Sequence, residues 1–294
     1  MIAGSVLETA SKRATPKPPR LSPVDFALEK ARADAESLKL LESDGIPMET
    51  YWHFNCMSLL IDQIEYRYRD RDDYYVGGDN FIYFSVTQAK NLDFRGPDFF
   101  FVSDTTRKPI RKYWVVWEEN RTPNVVIELA SASTRDVDYG VKFAIYRDRL
   151  RVNNYFIYDP ETHVLDGWIL QGDEYVAIEA DPNGRLWCEH LQLYLGEWEG
   201  PFRRFSMTWL RFFDPSGLVV PTTNEAANAA ANAEQQRAEA EKQRAEAEKQ
   251  RAEAEKQRAE AEKRRAEGAE AEVARLKALL AQASPNSKNG ASDH

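Results

Sequence analysis

A chain of 294 residues, 43% of them hydrophobic, is long enough for one large domain or two small ones and apolar enough for a packed core. Its 48 Asp and Glu outnumber 39 Lys and Arg, and the net charge of −9 excludes non-specific wrapping of nucleic acid, which needs clustered cations. No stretch approaches the roughly 18 unbroken apolar residues of a membrane span. With only Cys56 and Cys188 and no apolar signal-type segment at the N-terminus, the chain reads as reduced and cytoplasmic.

Residues 1–23 set Lys12, Arg13, Lys17 and Arg20 among four prolines, the composition of a disordered arm. A globular domain is expected over residues 24–220, which hold nearly all the aromatic side chains. Its first helix spans Pro23 to Leu41, with Phe26, Leu28, Ala31, Ala35 and Leu38 in imperfect 3.6-residue periodicity and Ser43-Asp44-Gly45 as the stop. A second runs from about Met48 to Ile64 on the stripe Met48, Trp52, Leu59, Leu60 and Ile64, and puts Glu49 and His53 on one face.

Tyr75-Val76-Gly77 and Phe81-Ile82-Tyr83-Phe84 read as two strands about a turn. Gly96-Pro97-Asp98 then leads into the apolar run Phe99 to Val102. Tyr113 to Trp117 is strand-like by its aromatic and β-branched content, and Val125 to Leu129 is a buried strand carrying Glu128. Ser133-Thr134-Arg135-Asp136 fits a capping box for a helix that reaches Leu150, with Val137, Val141, Ala144 and Ile145 turned inward and Lys142 about two turns in. Tyr155 to Tyr158 is again a buried strand, so strand, helix and strand imply a crossover and a mixed sheet. Antiparallel strands added between Val164 and Phe213 complete an α+β domain.

Residues 221–283 repeat with a period of seven, as in Glu241-Lys-Gln-Arg-Ala-Glu-Ala247 and again from Glu248 and Glu255. The alanines trace no continuous a/d seam. Instead Glu241 with Arg244, and Glu246 with Lys249, build a solvated charged helix from pairs of about 0.2 to 0.5 kcal/mol each. Val273, Leu276, Leu279 and Leu280 form a short seam able to pair with a second helix, which predicts a homodimer through residues 270–283. Residues 284–294 are read as a disordered end.

Asp98 and Glu128 stand at strand ends beside apolar runs, where a carboxylate is costly unless paired, hydrogen-bonded or on a metal. Two readings are open. Two such acids can hold a hard cation such as Mg²⁺, with Lys142 reaching back to orient a water or stabilise the pentavalent phosphate. In the other reading Asp98 caps the turn after Pro97 and Glu128 pairs with Arg135. His53 is either a packing residue or a neighbour of the site. Arg107, Lys108, Arg111 and Lys112 form either a phosphate-contacting loop or a solvated turn. Cys188-Glu189-His190 lacks zinc-site spacing, both cysteines read as structural, and Ser131, Ser133 and Thr134 read as helix-capping residues.

The ordered set Gly96-Pro97-Asp98, Pro123 to Leu129 with Ser131 to Arg135, then Asp138, Lys142, Tyr146 and Tyr155 to Pro160 resembles the Uma2 family of the PD-(D/E)xK nuclease superfamily. The resemblance spans about residues 40 to 215. It implies a restriction-endonuclease-like αβββαβ core, with a mixed β-sheet flanked by helices. It also implies Mg²⁺- or Mn²⁺-dependent endonuclease activity on DNA, with Asp98 and Glu128 as metal ligands. Ala130 departs from the superfamily pattern, since E-x-K would put a lysine there. The resemblance suggests that the lysine has moved to position 142, and it gives Glu49 the part of the first-helix acid. The rival expectation is a non-catalytic assembly protein in which the fold is a scaffold and the C-terminal helix recruits partners.

Overall fold

Ser22 closes a capping box over α1 (Pro23–Ala35), its hydroxyl accepting from the Asp25 N–H at 3.4 Å while the Asp25 carboxylate takes the Ser22 N–H at 2.7 Å. Thr50 caps α2 (Tyr51–Arg67) by accepting from the His53 N–H. The structure, a computed structural model, describes residues 21–40, 50–91, 96–106 and 111–283. Residues 1–20 of the N-terminal arm, residues 284–294, the stop at Ser43-Asp44-Gly45, Met48 and Glu49, and Arg107 and Lys108 lie outside the described residues.

Six strands form one mixed sheet. Along the chain, β1 (Tyr74–Gly77), β2 (Ile82–Tyr83), α3 (Val86–Lys90), β3 (Phe99–Ser103), β4 (Trp114–Val115), α4 (Val116–Glu119), β5 (Val125–Leu129), β6 (Asn154–Asp159), β7 (Val164–Gln171) and β8 (Glu174–Ala177) follow in order. The sheet runs β1-β3-β5-β6-β7-β8, with β5 and β6 parallel and every other pair antiparallel. β2 and β4 pair separately, and parallel. The strand expected over Tyr113 to Trp117 is thus only two residues long. Val116 and Trp117 turn into α4, which ends on Asn120 in the left-handed region.

A second sheet, not anticipated as separate, contains β9 (Leu186–Cys188), β10 (Leu193–Phe202) and β11 (Phe205–Phe213) in the order β11-β10-β9. α2 and this sheet cover one face of the six-stranded sheet, burying Leu59, Leu60, Ile64, Phe99, Ile127, Phe156, Leu195, Trp209 and Phe212 in one cluster. The opposite face belongs to a second cluster with Phe100, Trp114, Val126, Ala130, Tyr146 and Tyr155. Coverage on both sides explains why β3, β5 and β6 read as unbroken apolar runs.

The parallel β5–β6 pair needs a crossover. Residues 135–150 supply it as α5 (Arg135–Val137), a π-helical turn (Asp138–Lys142), α6 (Phe143–Ile145) and a second π-helical turn (Tyr146–Leu150). These wider i→i+5 turns hold a four-residue column in line where a pure α-helix would rotate it away. Asp138, Tyr146 and Leu150 are buried, and Lys142 between them is largely so, while Val137 and Val141 are exposed. The inward valine face expected from a 3.6-residue period is therefore corrected. The capping box is corrected too: Ser131, not Ser133, accepts from the N–H groups of Ser133 and Thr134.

α7 (Thr223–Ala283) starts on Thr222, whose hydroxyl accepts from the Glu225 N–H while Glu225 takes the Thr222 N–H. The chain divides into two compact units, residues 1–226 and 227–294. In the second unit residues 227–280 are all exposed; Glu272 with Arg275 has the expected i, i+3 order, while Lys263 with Glu267 pairs at i, i+4 in the opposite order. No helix among the described residues is long and apolar enough to cross a membrane.

Candidate active site

Alternation along the strands decides where the acids point. In β5, Val125, Ile127 and Leu129 enter the first cluster and Val126 and Ala130 the second, so Glu128 projects on the crossover side. Asp98 precedes β3 and shares the side of Phe100. Because Phe99 pairs with Ile127 in antiparallel register, Asp98 lies opposite the end of β5, and its Oδ2 accepts the Leu129 N–H at 2.7 Å. It does not cap the turn after Pro97.

The crossover brings its column onto these acids. Lys142 Nζ lies 2.9 Å from Glu128 Oε2 and 2.8 Å from Asp138 Oδ1. The Asp138 contact pairs its buried carboxylate with the same ammonium. The Tyr146 hydroxyl donates to Glu128 Oε1 at 2.9 Å, and the Tyr155 hydroxyl donates to the Asp138 carbonyl. Asp98, Glu128 and Lys142 are thus brought together. Asp138 and Tyr146 join them with parts that the sequence reading left unassigned. Their signal was the i, i+4, i+8 spacing with Lys142 at its centre.

Fully ionised, the three carboxylates would carry two negative charges more than the one ammonium balances. Burial pushes Glu128 up to about 8 and Asp98 up to about 7; Lys142 opposes the rise at both, and Asp138 adds to it. Burial also works against the Lys142 ammonium, but Glu128 and Asp138 outweigh it and hold that group above its ordinary range. At neutral pH the lysine is charged, and the carboxylate pair retains proton that a bound cation would displace.

The other candidates settle as follows. Arg135 pairs with Asp159 at 3.2 Å, not with Glu128. His53 is buried, with Nε2 3.0 Å from the Leu129 carbonyl and Nδ1 2.7 Å from the Thr50 hydroxyl. An Nε2–H donor and an Nδ1 acceptor satisfy both contacts, so this histidine braces the strand end through its backbone. Arg111 departs from the phosphate-loop expectation. It bonds both Glu119 oxygens (2.8 and 3.1 Å) and its side chain is only 7% exposed, under the rings of Tyr75 and Trp114. Lys112 is exposed. Cys56 and Cys188 are free, buried thiols.

Among the described residues no group of three or more His, Cys, Asp or Glu side chains is placed to hold a metal ion. A hard cation with one or two protein carboxylates and otherwise water or phosphate oxygens still fits the donor set Asp98 and Glu128. A cation here would offset the negative charge that Asp98 and Glu128 acquire on losing their protons.

No curated protein matches the chain. A solved structure from Anabaena variabilis ATCC 29413, described as "a putative nuclease belonging to DUF820", is similar at 14% identity and a TM-score of 0.37 over 53% of this chain and 88% of that one. The family model Uma2, described as "Putative restriction endonuclease", matches residues 32–199, more than half of the sequence and all of the strands that carry Asp98, Glu128 and the crossover. The chain belongs to the Uma2 family.

Proposed function

We propose that the protein is a divalent-metal-dependent endonuclease that hydrolyses DNA phosphodiester bonds. The observation that carries this reading is the burial of Asp98, Glu128 and Asp138 around the single ammonium of Lys142, with Asp98 and Glu128 pushed up into the neutral range. Ionising all three acids costs several kcal/mol per uncompensated ion unless a second cation joins Lys142, which a divalent metal would supply. Asp98 and Glu128 would hold Mg²⁺ or Mn²⁺, which supplies Lewis acidity and charge neutralisation at the scissile phosphate.

The chain's own groups then divide the remaining work. Lys142, held as an ammonium, donates hydrogen bonds and offsets charge on the pentavalent phosphate; it does not act as a base near neutral pH. Tyr146 fixes Glu128 through Oε1, leaving the other oxygen to the lysine and the ion. Glu49 keeps its proposed assisting part from outside the described residues.

The exposed Val273, Leu276, Leu279 and Leu280 seam supports pairing of two chains through residues 270–283. Such pairing would suit cleavage of both strands of a duplex.

The test uses purified protein with Mn²⁺ or Mg²⁺ on single-stranded, double-stranded and supercoiled DNA, beside Glu128→Ala. Cleavage by the parent chain, lost together with metal binding in the variant, is the expected result. Undiminished activity in Glu128→Ala overturns the assignment. A parent chain that binds no metal favours the non-catalytic assembly reading.

A further inference from the structure

Away from the carboxylates, the first unit exposes one cluster of large apolar rings. Tyr51 and Phe54 open α2 and are 54% and 44% exposed; Phe205 and Met207 open β11 and are 37% and 40% exposed. They form one surface, since the Tyr51 ring centroid lies 6.5 Å from that of Phe54 and 5.4 Å from that of Phe205, edge to face. Phe205 and Met207 alternate onto one side of the strand, the side that also carries Trp209. Trp209 in turn stacks on Trp52.

The turn joining β10 to β11 adds charge of one sign. Arg203 lies over the rings of Phe54 and Phe202 and bonds Asn55 through Nη1 at 2.7 Å, while Arg204 is exposed beside it. Residues 200–209 contain these two arginines and no acid, in a domain whose overall charge is negative. The helix that carries Tyr51 and Phe54 also braces the end of β5. His53, two residues after Tyr51 in the same helical turn, touches the Leu129 carbonyl, and the N–H of that same Leu129 is held by Asp98.

We propose that Tyr51, Phe54, Phe205 and Met207, with Arg203 and Arg204, form a stacking platform for unpaired nucleotides of a nucleic-acid strand. Exposed rings bind the π-face of any base without reading sequence, and interleaved arginines meet the phosphates. A duplex keeps those faces stacked inside it, so the ligand class is single-stranded nucleic acid, or a duplex with unpaired bases. The complementary charge, in a chain otherwise repellent to phosphate, selects nucleic acid over an apolar protein partner. The inference rests on the nuclease reading for its biological sense, but it is testable without cleavage.

Binding of a fluorescein-labelled oligothymidylate of about 15 nucleotides, long enough for one platform, is followed by anisotropy with the full chain in EDTA. The double variant Tyr51→Ala/Phe205→Ala should bind at least about tenfold more weakly, while Tyr51→Trp retains affinity. Arg204→Ala should lower the slope of log K against log salt by about 0.7. Thermal melts of each variant exclude misfolding as the cause. The platform is overturned if the parent chain binds no oligonucleotide, if it binds a fully paired duplex as tightly, or if the double alanine variant binds like the parent. Ring-dependent binding in EDTA from a chain that cuts nothing with Mn²⁺ would sink the hydrolytic reading and leave the platform standing.

Discussion

Divalent metal binding should rise steeply with pH, because the ion must displace protons that the metal-free site holds. Burial sets Asp98 near 7 and Glu128 near 8, so at about pH 6 both carboxylates are mostly protonated and at about pH 9 both are mostly ionised. If both are ligands, apparent affinity for Mn²⁺ should grow about 1,000-fold over that interval, equivalent to about 4 kcal/mol. The steepest part lies below pH 7, and the curve flattens above pH 8. Titration calorimetry in buffers of different ionisation enthalpy counts the protons directly: about two released per ion near pH 6 and almost none near pH 9. Because the carboxylates are neighbours, the two steps belong to the pair and not to either residue. Glu128→Gln should release one proton fewer. A pH-independent affinity, or binding with no proton release near pH 6, would refute the reasoning that an excess of buried negative charge prepares this site for a cation.

The same two acids act on stability with a definite sign. Their folded values lie above the unfolded values of about 4, so the metal-free fold should lose stability as pH rises between about 4 and 8, on the order of 4 kcal/mol of it from pH 6 upward. Asp181, held down at about 2, is ionised throughout that range and does not contribute. Chemical denaturation in EDTA at three pH values checks this, and a rise in stability would contradict it. Gly78→Ala should cost about 3 kcal/mol and weaken metal binding, because its Cβ would stand 2.3 Å from the Asp98 carbonyl oxygen and 2.7 Å from the Met57 side chain. Gly140→Ala, whose Cβ meets nothing within 4 Å, should be neutral or slightly stabilising in the same urea melts. Arg211→Leu should cost about 3 kcal/mol. Arg211 is buried with its Nη1 2.8 Å from Glu225, bonds the Val220 carbonyl and lies over Trp198, so a loss below about 1 kcal/mol would deny it an anchoring part.

What was legible in the sequence follows the range of the interactions. β3, β5 and β6 declared themselves because strands buried on both faces must be continuously apolar, and a carboxylate inside such a run, as Glu128 is, demands a partner. The separate second sheet did not, because its boundary is drawn by distant contacts: Gln63 accepts the Phe212 N–H, and the Trp52 indole donates to the Thr208 carbonyl. The basic run was misread at Arg111 because its partner Glu119 becomes adjacent only through the turn into α4. In the crossover, a 3.6-residue period selected Val137 and Val141, whereas the buried column repeats every four residues. Nothing local announces a π-helical turn, but Asp138, Lys142 and Tyr146 at strict four-residue spacing were already an alternative to the valines.

The departure at Ala130 has a packing explanation. Its side chain leaves β5 on the same side as Glu128, yet it is fully buried in the cluster that holds Val126, Tyr146 and Tyr155. A lysine at this position would carry its stem through that cluster, and its ammonium would need both room and partners among aromatic rings. Delivery from the crossover avoids the conflict, since Lys142 enters over the sheet with Glu128 on one side and Asp138 on the other. The two π-helical turns then acquire a purpose: they keep Asp138, Lys142 and Tyr146 in one column, so that a single rigid element presents the cation, its counter-charge and the hydroxyl that fixes Glu128. With the ammonium on the crossover, its position follows helical winding and not strand register, and the strand end carries the acids alone.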